Sequence, residues 1–217
     1  MLCLFDLDGT ITDSKEGIVN GFKHALNAMN IDPNNLNINK FLGPPLRDSF
    51  RKFCGMNEEE ADFAVSKYRE YFNDRGMLEE NKVYPEIREV LEILRKNGVR
   101  LTIATSKPTV YAEKILKYFG LDEYFEMVVG AELNGERSTK KEIIACILEN
   151  TDPKREMYAV MIGDRIHDAI GAKIMGIPFI AALWGYGEAG EFDDLSPDFA
   201  AENPSELVSI LLDKKLG

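Results

Sequence analysis

From residue 84 onward, short apolar segments alternate with amphipathic segments of helix length. The apolar segments predict strands at 99–105, 127–130, 158–163 and 179–183, and the amphipathic segments predict helices at 85–98, 108–119, 139–148, 168–175 and 204–212. Strands that alternate with helices pair in parallel through right-handed crossovers. The sequence therefore predicts an α/β fold with a three-layer doubly wound parallel sheet, whose ligands bind beyond the carboxyl ends of the strands.

A further buried strand opens the chain at residues 2–5 and leads into two acids, Asp6 and Asp8, followed by Gly9 and Thr10. Side chains alternate along a strand, so Asp6 and Asp8 begin on the same side. Two carboxylates this close need a metal ion, shared protons or cationic partners. A bound Mg²⁺ would keep one carboxylate ionised for attack on phosphorus, while the other could exchange protons as general acid and then general base.

Residues 14–81 interrupt the alternation. Their apolar periodicity predicts consecutive helices, with no strand among them, at 15–29, 47–53 and 58–76. A strand, a helical stretch and then renewed alternation are typical of a helical domain inserted into an α/β core. We therefore predict a catalytic core of residues 1–13 and 82–217 and a helical cap of residues 14–81.

Charge and composition narrow the class of protein. The net charge of −11 argues against a surface that coats nucleic acid, because phosphate backbones need a cationic face. The apolar run at the N terminus is too short for a signal peptide or a membrane span, so no membrane partner is expected. Cys3, Cys54 and Cys146 show neither a pairing pattern nor zinc spacing, so we expect a reducing, cytoplasmic setting.

The run Asp6-Leu7-Asp8-Gly9-Thr10 resembles DxDGT, the opening signature of the haloacid dehalogenase-like phosphatases. The resemblance implies that Asp6 is the nucleophile that becomes phosphorylated and that Asp8 is the general acid and base. It also implies a Mg²⁺ cofactor held by the Asp6 carboxylate, the backbone carbonyl of Asp8 and Asp164. Gly9 and Thr10 are then expected to lie against the substrate.

Thr105 and Ser106 follow the predicted strand at 99–105. A hydroxyl group and backbone N–H groups ahead of a helix suit a phosphate, since these donors and the helix dipole both favour an anion. The alternative is that Ser106 only caps the helix. In the resembled family a Thr or Ser at this strand end binds the phosphoryl oxygen, which implies that role for Thr105, with Ser106 beside it.

Lys140 and Lys141 lie at the start of the helix predicted at 139–148. Thr139 and Glu142 have the spacing of a capping box, so a good helix start with two solvated lysines is the simpler interpretation. Cations at this end oppose the helix dipole by about 0.3–1 kcal/mol each, and a nearby phosphate and carboxylate would compensate for that. The family places a Lys here to hold the nucleophilic Asp and the phosphoryl group; we assign it to Lys140, with Lys141 as the other register.

The strand at 158–163 also leads into acids, Asp164 and then Asp168. Asp164 can ligate Mg²⁺, and Asp168, one helical turn later, can act from the same face, directly or through water. The alternative is that Asp164 only caps the following helix. Gly163-Asp164 followed by Asp168 matches the family's GDxxxD motif. His167 is expected to be a surface or hydrogen-bonded side chain, because Mg²⁺ prefers oxygen donors.

These motifs together predict a Mg-dependent phosphatase that hydrolyses a small phosphomonoester through an aspartyl-phosphate. Gly43-Pro44-Pro45-Leu46 and Trp184-Gly185-Tyr186-Gly187 resemble the phosphoglycolate phosphatase-like branch of the family. That resemblance implies a small phosphorylated metabolite as substrate, either phosphoglycolate-like or a nucleoside 5′-monophosphate. Arg47 is a candidate contact for an anionic substrate, with a solvated Arg at a helix start as the alternative.

Three other functions remain open at this point. A phosphosugar mutase would use the same core but return the phosphoryl group to the sugar, and a non-catalytic member would only bind phosphate. A dehalogenase would dispense with the second acid and the metal, whereas Asp8 and Asp164 are both present. The sequence leaves the physiological substrate and the oligomeric state open.

Overall fold

The computed structural model describes residues 1–133, 136–151 and 158–213. It divides the chain into two compact units, Met1–Thr12 with Val83–Gly217, and Asp13–Lys82. The predicted insertion of residues 14–81 falls within the second unit. Its role as a cap stays a prediction.

The first unit is built on a six-stranded sheet in which every pairing is parallel. The strands of the chain are β1 (Leu2–Phe5), β2 (Thr12–Asp13), β3 (Lys82–Val83), β4 (Arg100–Pro108), β5 (Met127–Ala131), β6 (Ala159–Gly163), β7 (Phe179–Ala182) and β8 (Phe199–Ala201). The order across the large sheet is β5-β4-β1-β6-β7-β8, and β2 pairs with β3 in a separate two-stranded sheet. This arrangement confirms the predicted doubly wound α/β fold.

Strand β1 lies in the middle of the sheet, between β4 and β6. From β1 the chain builds outward on one side through β4 and β5, and then returns to build the other side through β6, β7 and β8. The carboxyl end of β1 is therefore at the point where the strand order reverses, and this is where open α/β sheets bind their ligands. All four residues of β1 are buried, as expected for a strand covered on both faces by helices.

Helices of the first unit follow the predicted amphipathic segments. Those of the chain, in order, are α1 (Lys15–Ala28), α2 (Leu46–Cys54), α3 (Glu58–Tyr71), α4 (Ile87–Lys96), α5 (Thr109–Tyr118), α6 (Lys140–Glu149), α7 (Ile166–Met175) and α8 (Glu206–Asp213). Helices α6 and α7 pack against the sheet through a core that includes Leu4, Ile144, Met161 and Ala169. Within the described ranges, no helix has both the length and the apolar character needed to cross a bilayer.

Most elements of the first unit agree with the prediction to within one or two residues, but the large sheet departs further from it in two places. The prediction of 179–183 as the last strand was wrong, because β8 follows it at the edge of the sheet. Strand β8 gives little signal in the sequence, since it has three residues and Ala201 alone is fully buried. Strand β4 runs to Pro108 rather than ending at Thr105, because its pairing with β5 shifts register between Ala104 and Pro108 and then resumes.

The second unit is helical, with short 3₁₀ turns at Pro33–Asn35 and Ile38–Phe41 between α1 and α2, and with α3 following α2 after three residues. Its interior holds an aromatic cluster in which Phe22 lies 4.6–5.0 Å, centroid to centroid, from Phe41, Phe50 and Tyr68. The helix predicted at 58–76 is α3 followed by a π-helical turn at Phe72–Gly76. This unit therefore has an apolar core of its own.

Candidate active site

The loop that follows β1 is a tight turn that brings its polar groups to the carboxyl edge of the sheet. Parallel pairing extends as far as Asp6, whose N–H donates to the carbonyl of Ile162 at 2.9 Å. The carbonyl of Leu7 then accepts the N–H groups of residues 10, 11 and 12. Gly9 adopts φ +91°, and a Cβ there would lie 2.1 Å from Asp164 Oδ2. Glycine is required by both the turn and this close approach.

Three buried carboxylates converge beside this loop. Asp6, Asp164 and Asp168 each offer one oxygen within 4.8 Å of the others. They meet because β1 and β6 are parallel neighbours that end at the same edge, and because Asp168 lies in the first turn of α7. Asp168 Oδ2 accepts the N–H of Arg165 at 3.1 Å, which turns this side chain back toward the start of its helix.

Lys140, the first residue of α6, reaches into this acidic cluster. Its Nζ lies 3.0 Å from Asp6 Oδ1 and 2.7 Å from Asp168 Oδ1, and it donates to the carbonyl of Ala104 at 2.8 Å. Lys140 is buried, whereas Lys141 is exposed. Of the two registers that the sequence left open, the structure places Lys140 among the carboxylates. These contacts compensate for a cation at the positive end of a helix.

The cluster carries more negative than positive charge. Burial raises the pKa of Asp6 to about 6, and the nearby charges of Asp168 and Asp8 add to this effect while Lys140 opposes it. Burial also raises the pKa of Asp164 well above its usual range, with Asp6 and Asp168 contributing. Burial alone would lower the pKa of Lys140, but Asp168 and Asp6 outweigh it and raise that pKa. Lys140 therefore stays charged, and a further cation would relieve the remaining repulsion.

The donor set suits Mg²⁺. Carboxylate oxygens from separate segments converge in a buried place, and Mg²⁺ is a hard cation that prefers oxygen ligands. Asp6 and Asp164 can ligate it directly, and the Asp8 carbonyl is the third group implied by the family resemblance. Asp168 Oδ1 is held in an ion pair by Lys140, whereas the oxygens of Asp164 accept from neutral donors, the Thr10 hydroxyl group and the Tyr186 N–H. This difference favours an indirect role for Asp168.

Asp8 is paired separately, with a residue that sequence reasoning missed. Lys107 Nζ lies 3.0 Å from Asp8 Oδ2, and the Lys107 side chain is 7% exposed. The available signal was a Lys two positions after Thr105, at a strand end expected to face several carboxylates. The predicted strand ends at Thr105, which would put Lys107 at a helix start, whereas β4 continues through Lys107 to Pro108.

Thr105 and Thr10 are both buried at this edge. Thr105 Oγ1 accepts the N–H of Lys107 at 3.2 Å. The alternative reading of Ser106 as a helix cap is wrong, since α5 begins at Thr109 and its N-cap position is Pro108. Thr10 Oγ1 donates to Asp164 Oδ1 at 3.0 Å, so the structure shows it orienting a carboxylate, and contact between Thr10 and a substrate stays a prediction.

The loop after β7 contributes a backbone hydrogen bond to Asp164. The N–H of Tyr186 donates to Asp164 Oδ2 at 2.8 Å, and Trp184 Nε1 donates to the Thr10 carbonyl at 3.1 Å. The sequence singled out this segment only as a mark of a family branch. Further along the same loop, Glu191 Oε1 accepts from Arg165 Nε at 2.9 Å and from the Ile166 N–H at 2.8 Å. The loop therefore holds both Asp164 and the start of α7.

Two further residues that the sequence singled out are Arg47 and His167. Arg47 belongs to the helical unit, where its Nη2 lies 2.6 Å from Glu58 Oε2 and 2.9 Å from Asp62 Oδ2. Its charge is thus balanced within its own unit, and its contact with a substrate stays a prediction. His167 is exposed, in keeping with the prediction of a surface side chain.

Comparison with known proteins agrees with this geometry. The haloacid dehalogenase-like hydrolase family profile matches residues 3–182. The chain is 39% identical over 209 residues to a 5′-nucleotidase from Pseudomonas aeruginosa, covering 96% of this chain and 94% of that one. It is 40% identical over 196 residues to the tyrosine-protein kinase PtkA of Mycobacterium tuberculosis, covering 90% of this chain and 66% of that longer protein. The crystal structure of a predicted phosphatase from Clostridium acetobutylicum matches with a TM-score of 0.91 at 40% identity, covering 98% of each chain.

The profile match spans most of the chain, including Asp6, Lys140 and Asp164. The similarity to the nucleotidase extends over nearly the full length of both proteins. The family resemblance seen in the sequence is confirmed by these matches, and so is the class of enzyme. The chain belongs to the haloacid dehalogenase-like hydrolase family and is an enzyme of the phosphatase kind.

Proposed function

We propose that this protein is a Mg-dependent phosphatase that hydrolyses a small phosphomonoester through an aspartyl-phosphate on Asp6. The observation that carries the proposal is the convergence of Asp6, Asp164, Asp168 and Lys140 at the carboxyl edge of the sheet, at the switch point of the strand order. Such an arrangement is suited to a nucleophilic carboxylate that acts beside bound cations.

Asp6 attacks phosphorus and releases the alcohol of the ester. Lys140 holds Asp6 Oδ1, and its charge reduces the repulsion between this carboxylate and an incoming phosphate. Thr105, which is buried in β4 where the pairing with β5 shifts register, donates to a phosphoryl oxygen in this proposal. A Mg²⁺ ion held by Asp6, the Asp8 carbonyl and Asp164 would supply a counter-charge for the phosphoryl oxygens.

Asp8 handles the protons. It protonates the leaving oxygen in the first step and takes a proton from the attacking water in the second. Unlike Asp6, it lies outside the set of three converging carboxylates, and its Oδ2 is paired with Lys107. This separation supports different duties for the two aspartates, one as nucleophile and one as acid and base.

The nucleoside 5′-monophosphates are the substrate class that we favour. The supporting observation is the similarity to a 5′-nucleotidase over nearly the whole of both chains. Phosphoglycolate-like esters are the second substrate class to test. We assign selection of the leaving group to the helical unit Asp13–Lys82, which we propose to be the cap.

Transfer to an acceptor other than water is a second candidate function. It is favoured by one observation, the 40% identity to a tyrosine-protein kinase. A phosphosugar mutase would likewise pass the phosphoryl group onward rather than release it. Product analysis separates these cases, because a phosphatase releases inorganic phosphate in amounts equal to the alcohol formed, whereas a transferase does not.

The test is a panel of phosphate esters assayed for phosphate release with Mg²⁺ and with EDTA. We expect hydrolysis with Mg²⁺, loss of activity in EDTA and recovery when Mg²⁺ is restored. Asp6→Asn should reduce turnover by about 1,000-fold or more, since it removes the nucleophile. The matched control is Asp122→Asn, at an exposed carboxylate far along the chain. Full activity in EDTA, or near-normal turnover of Asp6→Asn, contradicts the proposal.

A further inference from the structure

Lys107 is a nearly buried cation that forms an ion pair with Asp8, the acid and base of the proposed reaction. Its Nζ lies 3.0 Å from Asp8 Oδ2, with the Lys107 side chain 7% and the Asp8 side chain 19% exposed. Lys140, the other buried Lys at this edge, instead contacts Asp6 and Asp168. Each aspartate of the opening loop thus has its own lysine, and the one on Asp8 has no role in the steps derived above.

The backbone of Lys107 is held firmly in place. Its N–H donates to Thr105 Oγ1 at 3.2 Å, and the strand resumes pairing with β5 immediately afterwards, at Pro108. Strand β5 approaches so closely that a Cβ on Gly130 would lie 2.2 Å from the Lys107 carbonyl oxygen. The Gly130 N–H also donates to Thr109 Oγ1 at 3.0 Å. A side chain anchored on this backbone can define the position of whatever it binds.

We propose that Lys107 is a positioning residue that orients the Asp8 carboxyl group for proton transfer to the leaving oxygen. This inference rests on the proposed function. A charge-assisted hydrogen bond to Oδ2 restricts rotation of the carboxyl group, which a partly exposed Asp would otherwise sample. Proton transfer requires donor and acceptor at hydrogen-bonding distance and in a defined orientation, so loss of the anchor slows the transfer.

The leaving group reveals whether Lys107 acts through Asp8. An alkyl phosphate releases a strongly basic alkoxide unless it is protonated, whereas 4-nitrophenyl phosphate releases a stable phenolate that needs little help. The value of kcat/KM reports the steps up to phosphoryl transfer, so it isolates the protonation of the leaving group from the later hydrolysis. A purely structural role for Lys107 would lower kcat/KM for both esters alike.

The experiment compares Lys107→Met with wild type on the best alkyl ester of the panel and on 4-nitrophenyl phosphate. We expect kcat/KM to fall by about 30-fold or more for the alkyl ester, because that ester depends on general acid catalysis. For the aryl ester we expect a fall of about threefold or less, because its leaving group needs little protonation. Lys107→Arg should restore much of the alkyl activity, because it keeps a charged donor. Lys117→Met, at an exposed Lys of α5, is the matched control and should change neither value.

A double-mutant comparison makes the coupling to Asp8 explicit. In the Asp8→Asn background, Lys107→Met should cause no further selective loss on the alkyl ester, since the group that it orients is already gone. Equal losses on both esters in Lys107→Met, no loss on either, or a full additional loss in the Asp8→Asn background would overturn the inference. Lys107→Gln, a neutral donor, repeats the test if the Met variant melts at a lower temperature than wild type.

The outcome is distinguishable from a failure of the proposed function. If wild type hydrolyses both esters and depends on Asp6, an unchanged alkyl-to-aryl ratio in the Lys107 variants overturns this inference alone. If wild type hydrolyses neither ester, both the proposed function and this inference fail.

Discussion

Two lysines serve the two aspartates of the opening loop in different surroundings. Lys140 lies in a fully buried cluster, where its single positive charge faces Asp6 and Asp168, with Asp164 close by. Lys107 forms an ion pair with Asp8 at a place that is partly open to solvent. The first arrangement is short of positive charge and the second is balanced. Asp6 and Asp8 are separated by one residue in the chain, but their different lysine partners suit them to different chemical roles.

The difference has a consequence for metal binding. In the Lys140 cluster, burial and mutual repulsion raise the pKa of Asp6 to about 6 and that of Asp164 well above its usual range. A divalent cation relieves this repulsion, so metal affinity is expected to depend on Asp6, Asp164 and Asp168. The Lys107–Asp8 pair already has its counter-charge, and changing Lys107 should leave metal affinity largely intact.

The largest expected effect comes from Lys140→Met. Removing one partner of a buried charge network costs about 3–5 kcal/mol, because the remaining carboxylates lose their counter-charge. We expect kcat/KM to fall by about 100-fold or more and the metal-free protein to unfold at a clearly lower temperature. Thermal unfolding and steady-state kinetics measure both effects. Lys141→Met, one residue along and exposed, is the control; if the two variants behave alike, the assignment of Lys140 is wrong.

Asp164→Asn should weaken Mg²⁺ binding while leaving the Lys107–Asp8 ion pair intact. Replacing a charged ligand with a neutral amide should weaken Mg²⁺ binding by about 10- to 100-fold. Isothermal titration calorimetry measures the dissociation constant directly. Lys107→Met should bind Mg²⁺ within about twofold of wild type, since the ion pair of Lys107 is with Asp8, whose carboxylate is not one of the three that converge. Equal weakening in both variants would show that the two sides are not separate.

The pH dependence of Mg²⁺ binding sharpens the same point. Because the pKa of Asp6 is about 6, protons compete with Mg²⁺ below that pH, and the affinity for Mg²⁺ should fall by about tenfold per pH unit for one competing proton.

The stability of the metal-free protein should also depend on pH, because the folded protein holds a proton on Asp6 to higher pH than the unfolded chain does. The metal-free protein should therefore lose stability as the pH rises from about 4 to about 6. Calorimetric titrations and unfolding curves across pH 4.5–7.5 test this. Affinity that is flat below pH 6 would contradict it.

The smallest expected effect is that of Arg47→Ala. Its ion pairs with Glu58 and Asp62 are about half exposed, and pairs of this kind contribute about 0–1 kcal/mol. We expect a small loss of stability in urea unfolding. A KM that rises by an order of magnitude for anionic substrates, with kcat unchanged, would instead establish Arg47 as a substrate contact, as the sequence allows.

Much of the site could be predicted because it depends on strand ends. Asp6, Asp8 and Asp164 follow apolar segments directly, and parallel strands bring such ends to one edge. Lys140 was predictable from a cation placed where the helix dipole opposes it. These inferences need only the local sequence and the order of elements.

The parts that escaped prediction depend on contacts between distant segments or on small irregularities. The bond from Thr10 to Asp164 joins residues 154 positions apart, and the pairing of Arg165 with Glu191 joins residues 26 positions apart, on either side of α7 and β7. Lys107 was missed because a register shift extends β4 past the expected end. No periodicity in the sequence signals such a shift.

The central claim is that Asp6 carries the phosphoryl group. The most direct measurement is reductive trapping: the enzyme is quenched during turnover and treated with borohydride, which converts an aspartyl-phosphate to homoserine, and its peptides are then analysed by mass spectrometry. We predict homoserine at position 6 in turnover samples and none without substrate. Modification at a different residue, or an unmodified Asp6 under conditions where an intermediate accumulates, would contradict the account.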